Sequence, residues 1–241
     1  MSHRPWQIPS RPWVMYMEWH NLLFAHWAVK PSLLEPLLPK GLQLETFDGF
    51  AWLGVVPFQM RQTSPRKWLT VPGLSDFDEL NVRTYVTNGK KSGVWFFSLD
   101  CNNLFAVRAA RFGFHLPYMD AKMQVLSQNK IITYASQRTH QAEPKADFSC
   151  QYQPTGAVYQ SQVGSLEHWL TERYCLYSAN RTGQIFRGEI DHQPWQLQPA
   201  QADFSSNTMT DWLGFRLPPK PELLHFSAQI HVRAWLLEAV K

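Results

Sequence analysis

Short apolar segments alternate with turn residues along the chain, and this pattern predicts strands joined by short connections. Asp-Gly and Asn-Gly between apolar runs are the strongest short-range hairpin signals, and they occur at positions 48–49 and 88–89. The predicted hairpins pair 42–47 with 50–60, 79–87 with 94–101, 119–126 with 131–138, and 174–179 with 184–192. Further strands are predicted near 20–29, 195–201 and 225–236.

A few short helices interrupt the predicted strands. Pro31 suits a first helical turn, and Asn103 and Ser165 are good N-caps. The first predicted helix starts with residues 31–35 and is ended by Pro39 and Gly41. The other predicted helices cover 104–112, 166–170 and 207–213, and a polar loop covers 141–146. Neither a repeat nor a low-complexity linker divides the sequence, so we expect one domain over 1–241. The pattern predicts an α+β, β-rich fold with an antiparallel sheet curled into a barrel or sandwich.

Composition and charge exclude several classes of protein. Apolar residues make up 44% of the chain and charged residues 17%, and eleven tryptophans require a packed core, which excludes a disordered chain. The net charge is +4, but the longest basic clusters, Arg66-Lys67 and Lys90-Lys91, lie in turn-like sequence. No basic helix favours nucleic-acid binding.

The remaining sequence signals favour a cytosolic protein without metal or cofactor. The cysteines at 101, 150 and 175 are far apart and odd in number, so we expect free, mostly buried thiols. The first residues lack the apolar core of a signal peptide, and no apolar run is long enough to cross a membrane. The histidine spacing does not suit a metal site. No dinucleotide or nucleophile-elbow fingerprint occurs.

Several segments together resemble one protein family. Their order and spacing are similar to the YqjF-like proteins of the acetoacetate decarboxylase-like superfamily, from about Trp19 to Trp195. The matching segments are LLFAHW (22–27), FDGFAWLGVVPF (47–58), ELNVRTYV (79–86), GVWFFSLD (93–100), LPY (116–118) and LTERYCLY (170–177). The resemblance implies a closed antiparallel barrel with an internal polar pocket.

The resemblance also exposes a missing group. The superfamily's decarboxylases form a Schiff base on a lysine that directly follows a proline, downstream of an arginine that corresponds to Arg111. Here Tyr118 and Met119 follow Pro117, so the amine is absent and acetoacetate decarboxylation is not expected. Lys122 has the strand parity of Tyr118 but lies about 13 Å further along at 3.3 Å per residue, and we expect it to face solvent.

One predicted strand carries alternating polar residues. Glu79, Asn81, Arg83 and Tyr85 share one face, because residues two apart on a strand point the same way. A solvated outer face is the ordinary explanation. The apolar partner strand and the superfamily carboxylate that the resemblance assigns to Glu79 favour a pocket. There Arg83 and Asn81 would bind ligand, with Tyr118 as proton donor. Glu79 would either act as acid or base or pair with Arg83 and hold it in place, and the sequence does not separate these roles.

Further candidates carry two interpretations each. Glu172 and Arg173 are adjacent at a helix-to-strand junction, where they either form an ion pair tying helix to sheet or contact a ligand. Arg111 has the same ambiguity, and His26 is retained as a ligand contact because it lies in a matching segment.

Three functions are therefore open. The first is a protein that binds or converts a small anionic or keto-containing metabolite. The second is a non-catalytic ligand sensor on the same fold, which the missing lysine favours. The third is an interaction module in which Trp6, Trp13, Trp19 and Trp27 form an exposed patch. Homo-oligomerisation stays open.

Overall fold

The computed structural model describes residues 3–67, 69–71 and 75–240. Three short helices occur among these residues: α1 (Pro31–Leu34), α2 (Leu104–Gly113) and α3 (Leu166–Thr171). The strands are β1 (Met15–Val29), β2 (Gln43–Leu44), β3 (Ala51–Pro65), β4 (Phe77–Thr87), β5 (Ser92–Cys101), β6 (Tyr118–Gln128), β7 (Ile131–Arg138), β8 (Asp147–Pro154), β9 (Cys175–Ala179), β10 (Ile185–Asp191), β11 (Gln198–Asn207), β12 (Leu223–Ala234) and β13 (Glu238–Ala239).

The strands form a closed nine-stranded barrel. Its hydrogen-bonded ring runs β5-β6-β7-β8-β11-β12-β1-β3-β4 and closes through the β4–β5 pair. The prediction of a purely antiparallel sheet is wrong, because β5 pairs in parallel with both β6 and β9. Parallel neighbours need a crossover connection, usually a helix, and α2 supplies it between β5 and β6.

A second ring shares one wall with the barrel. β9 pairs with β5, and β10 pairs with β12, so β9 and β10 enclose a second interior on the other face of β12, β1, β3, β4 and β5. We call this interior the β9–β10 lobe. Both faces of the shared strands are buried, and strands of this kind read as long apolar runs. This explains the unbroken burial of residues 51–58.

Sequence patterns located most hairpins but not all pairings. The pairs β4–β5, β6–β7 and β9–β10 are confirmed, as are α2 and the 141–146 loop. Asp48-Gly49 does form a tight turn with positive φ angles, yet β2 pairs with β4 and not with β3. The predicted helix over 207–213 shrinks to a 3-10 turn, Asp211–Leu213, because β11 continues through Asn207.

The tryptophans do not form an exposed patch, so that prediction is wrong. Trp27 is fully buried, and Trp6 donates its indole N–H to Glu189. Trp13 lies against Arg66, and Trp19 stacks on Trp195. These rings are used for packing within the chain, which removes the observation on which the interaction-module hypothesis rested.

The cysteines agree with the sequence analysis. Cys101, Cys150 and Cys175 are free and buried, and burial raises the pKa of each thiol. Within the described ranges, no helix is long and apolar enough to cross a membrane.

Candidate functional site

The polar face of β4 is buried and not solvated. Glu79, Asn81 and Arg83 are 3, 6 and 9% exposed, and Tyr85 is fully enclosed. The side chains of Glu79, Asn81 and Arg83 share the β9–β10 lobe with Phe77 and Tyr85 of the same face, while Leu80 and Val82 enter the barrel core. The outer-face interpretation is therefore excluded, since burying these polar groups requires partners inside the protein.

Glu79 and Tyr118 form a buried hydrogen-bonded pair. The Tyr118 hydroxyl donates to Glu79 Oε2 at 2.7 Å. Burial raises the pKa of Glu79 from 4.5 to about 7, although hydrogen bonds from Tyr118 and Asn81 oppose the rise. Burial and the neighbouring Glu79 hold the pKa of Tyr118 well above its usual value. A carboxyl group that titrates near neutrality can both take and give a proton.

Arg83 lies beside His26 in the same interior. Gly54 stands between them in the sheet, paired with His26 on β1 and with Arg83 on β4. A Cβ at Gly54 would lie 3.3 Å from the His26 ring and 3.4 Å from Arg83, so glycine lets the two side chains meet. His26 Nε2 is hydrogen bonded to the Tyr85 hydroxyl at 2.7 Å. Burial and the Arg83 charge hold the pKa of His26 well below its usual range, so the ring is neutral.

Arg83 has no carboxylate partner among the described residues. Its only hydrogen bond there is a long one, 3.5 Å, from Nη2 to the Leu170 carbonyl. The guanidinium lies 5.5 Å from the Phe24 ring centre and 5.8 Å from that of Tyr85. Sequence reasoning considered a Glu79–Arg83 pair, but Glu79 bonds to Tyr118 instead.

Arg173 and Glu172 diverge at the end of α3. Arg173 lies over the Tyr85 and Trp169 rings, 4.9 and 4.4 Å from their centres, and pairs with Glu45. Glu172 accepts from the Tyr174 hydroxyl and from the Trp195 backbone N–H. Arg173 therefore does form an ion pair, but its acid is Glu45, directly after β2, and not Glu172. Tyr85 lies against both Arg83 and Arg173, so Arg173 is at the edge of the candidate site. Glu172 makes no such contact among the described residues.

Arg111 lies outside the lobe. It donates to the Tyr118 carbonyl at 2.6 Å and approaches Glu143. Its side chain is 37% exposed and lines an open groove of about 570 Å³ on the outer side of α2 and β6. A second open groove, about 610 Å³, lies against β6, β7, β8 and β11. Glu79 and Arg83 line neither groove.

None of the lysines among the described residues offers a buried amine that could form a Schiff base. Every lysine among the described residues is exposed except Lys91, which is half-buried and pairs with Glu189. Lys122 is exposed, which confirms the prediction for it. Tyr118 is the residue after Pro117 that faces Glu79, and a phenol cannot form an imine.

Comparison with known proteins identifies the family. The sequence profile of DUF2071, described as "Uncharacterized conserved protein (COG2071)", matches residues 16–231. The chain belongs to the DUF2071 family. It is 41% identical to the uncharacterized protein YqjF of Bacillus subtilis (strain 168) over 230 residues, which cover 95% of this chain and 94% of that protein. The YqjF-like resemblance is thus confirmed.

Solved structures similar to this DUF2071 chain share its fold. The enduracididine biosynthesis enzyme MppR complexed with pyruvate gives a TM-score of 0.67 at 11% identity, covering 96% of this chain and 91% of that one. Acetoacetate decarboxylase from Legionella pneumophila subsp. pneumophila str. Philadelphia 1 gives 0.62 at 12% identity, covering 100 and 92%. At these identities the likeness shows the acetoacetate decarboxylase-like fold alone.

Proposed function

We propose that this DUF2071 protein binds a small organic anion, such as a keto-containing carboxylate, in the β9–β10 lobe. The observation that carries the proposal is Arg83, a buried guanidinium without a carboxylate partner among the described residues. A buried charge is costly unless it is paired, and a planar guanidinium suits a carboxylate. The pyruvate complex of MppR supports the proposal, because it places a small keto acid in a protein of this fold.

Proton transfer on the bound ligand is assigned to the Glu79–Tyr118 pair. Glu79, with a pKa of about 7, exists in both protonation states near neutrality. Tyr118 holds its proton and donates a hydrogen bond. Asn81 lies between Glu79 and Arg83 on the same face, and its buried Oδ1 has no partner among the described residues. The pair therefore suits proton abstraction or donation next to a carbonyl group, without covalent attachment to the protein.

Replacing Arg83 tests the binding proposal. We expect a thermal-shift screen of small carboxylates, keto acids and their esters to yield stabilising acids with wild type, and Arg83→Met to lose the shift. A ligand at a hundredfold excess over its Kd adds about 2.7 kcal/mol to the free energy of unfolding. The neutral esters control for apolar binding. Equal shifts in wild type and Arg83→Met would remove Arg83 from the site.

A non-catalytic sensor is the second candidate function. The absence of a buried lysine among the described residues favours it, since a binding site can survive the loss of its reactive group. An exchange assay on the keto acids found in the thermal-shift screen separates the two functions. Solvent-hydrogen exchange into a bound keto acid, lost in Glu79→Gln, shows catalysis, whereas a bound ligand without exchange or turnover supports the sensor.

A further inference from the structure

Phe24 is surrounded by polar side chains that sequence reasoning did not bring together. Arg83 lies 5.5 Å from its ring centre, Trp195 meets it edge-on at 4.8 Å, and His26 stacks at 6.2 Å. His225 is its strand partner on β12. Each of these four residues has a buried side-chain nitrogen without a hydrogen-bond partner among the described residues: Arg83 Nε, Trp195 Nε1, His26 Nδ1 and His225 Nδ1.

Four unpartnered nitrogens around one ring need oxygen-bearing partners. Buried polar groups in native proteins are nearly always hydrogen bonded to protein, to water or to a bound molecule, and four such groups around one ring can be satisfied together by a single molecule. Arg83 Nε and Trp195 Nε1 are donors only. The molecule must therefore carry acceptor atoms on its edge, and its face must fit between aromatic rings, which prefer offset or edge-on contacts with other flat groups.

The charges around Phe24 set the charge of the molecule. The charge of Arg173 is balanced by Glu45. Burial lowers the pKa of both His26 and His225, so both rings are neutral near pH 7. Glu79 bonds to Tyr118 and not to Arg83, and with a pKa of about 7 it is largely protonated and uncharged at pH 6.5. At that pH Arg83 supplies one unbalanced positive charge among the described residues, and a second negative charge on the ligand would be buried without a partner.

We propose that the ligand class is planar, conjugated monocarboxylates. The carboxylate pairs with Arg83, the flat body lies against Phe24 and Trp195, and a ligand oxygen accepts the Trp195 indole N–H. This inference rests on the proposed function, because it uses the same interior and the same arginine. It goes further by excluding dianions and by ranking flat acids above saturated ones.

Four probe compounds test separately whether binding depends on a carboxylate charge, on the number of negative charges and on the flatness of the ligand. Benzoate is the test acid, benzamide its neutral analogue, phthalate its dianion and cyclohexanecarboxylate its saturated analogue. Binding is measured at pH 6.5, below the pKa of Glu79, by calorimetry and tryptophan fluorescence. We expect benzoate to bind about fivefold more tightly than cyclohexanecarboxylate. Benzamide and phthalate should bind at least about tenfold more weakly than benzoate.

Two variants assign the preferences to residues. Phe24→Leu should bind the flat and saturated acids equally, and Arg83→Met should bind neither. Near-UV circular dichroism checks that both variants are folded; if Phe24→Leu is not, the four-compound ranking on wild type decides alone. Arg83-dependent binding in which cyclohexanecarboxylate or phthalate equals benzoate overturns the inference but leaves the proposed function intact. Binding of these acids and of keto acids that Arg83→Met retains overturns both.

Discussion

Asp100→Asn is expected to destabilise the protein by about 3 to 5 kcal/mol, which is the cost of removing one partner from a buried ion pair. Arg138 contacts Asp100 through Nε and Nη2 at 2.7 to 3.2 Å, and both side chains are fully buried. Arg138 Nη2 also donates to Ser98. Without the carboxylate, the guanidinium would stay buried and unpaired. Urea unfolding of wild type and variant at pH 7 measures the difference.

Matched controls separate the buried pair from generic charge loss. Asp211→Asn removes an ion pair with Arg216, whose side chain is 85% exposed, and should cost less than about 1 kcal/mol. The double variant Asp100→Leu with Arg138→Met should recover most of the lost stability, since apolar residues can replace a buried pair. A cost below about 1 kcal/mol for Asp100→Asn would show that the pair does not hold β5 to β7.

Turn chemistry and strand alternation predicted much of the fold. The Asn88-Gly89 connection gave the β4–β5 hairpin, and the alternation from Glu79 to Tyr85 gave the face that carries the site. Strand β8 was missed although Phe148, Cys150 and Tyr152 alternate perfectly, because serine and glutamine between them weaken the apolar signal. These local signals require no knowledge of the rest of the chain.

Ring closure could not be predicted in the same way. The parallel β5–β6 pairing had a visible signal, the helix between two predicted strands, but the β5–β9 and β10–β12 pairings join segments far apart in sequence. Those long-range pairings create the β9–β10 lobe, and Trp195 follows β10 to reach Phe24. The β1–β12 pairing, which also joins distant segments, brings His225 to Phe24. Site residues on β4 were therefore predictable, whereas the residues that complete the site were not.

Buried charges divide into two kinds in this molecule. Asp100 has Arg138, and Arg173 has Glu45, so their charges are balanced within the protein. Arg83 and Glu79 have only uncharged hydrogen-bond partners among the described residues. Charges of the first kind stabilise the fold when intact. Charges of the second kind cost stability, and a binding or proton-transfer role accounts for keeping them.

Glu79→Gln is expected to stabilise the protein at alkaline pH. The pKa of Glu79 is raised from 4.5 to about 7 by burial, so between these values the folded state keeps a proton that the unfolded state has lost. Stability therefore falls as pH rises through this window. The shift corresponds to about 3 kcal/mol above pH 7. Glutamine cannot ionise, so the variant should gain about 2 to 3 kcal/mol over wild type between pH 5 and pH 8.

Comparing the two proteins at each pH cancels the histidines, whose lowered pKa values act in the opposite direction below pH 6.5. Urea unfolding at pH 5, 6, 7 and 8 gives the measurement, with the exposed Glu35→Gln as the control for loss of one negative charge. A stability difference that does not change with pH would mean that Glu79 is not buried as an isolated acid.

The same variant should lose any solvent-hydrogen exchange into a bound keto acid. Gain of stability with loss of exchange is the combination that a proton-transfer residue predicts and a packing residue does not.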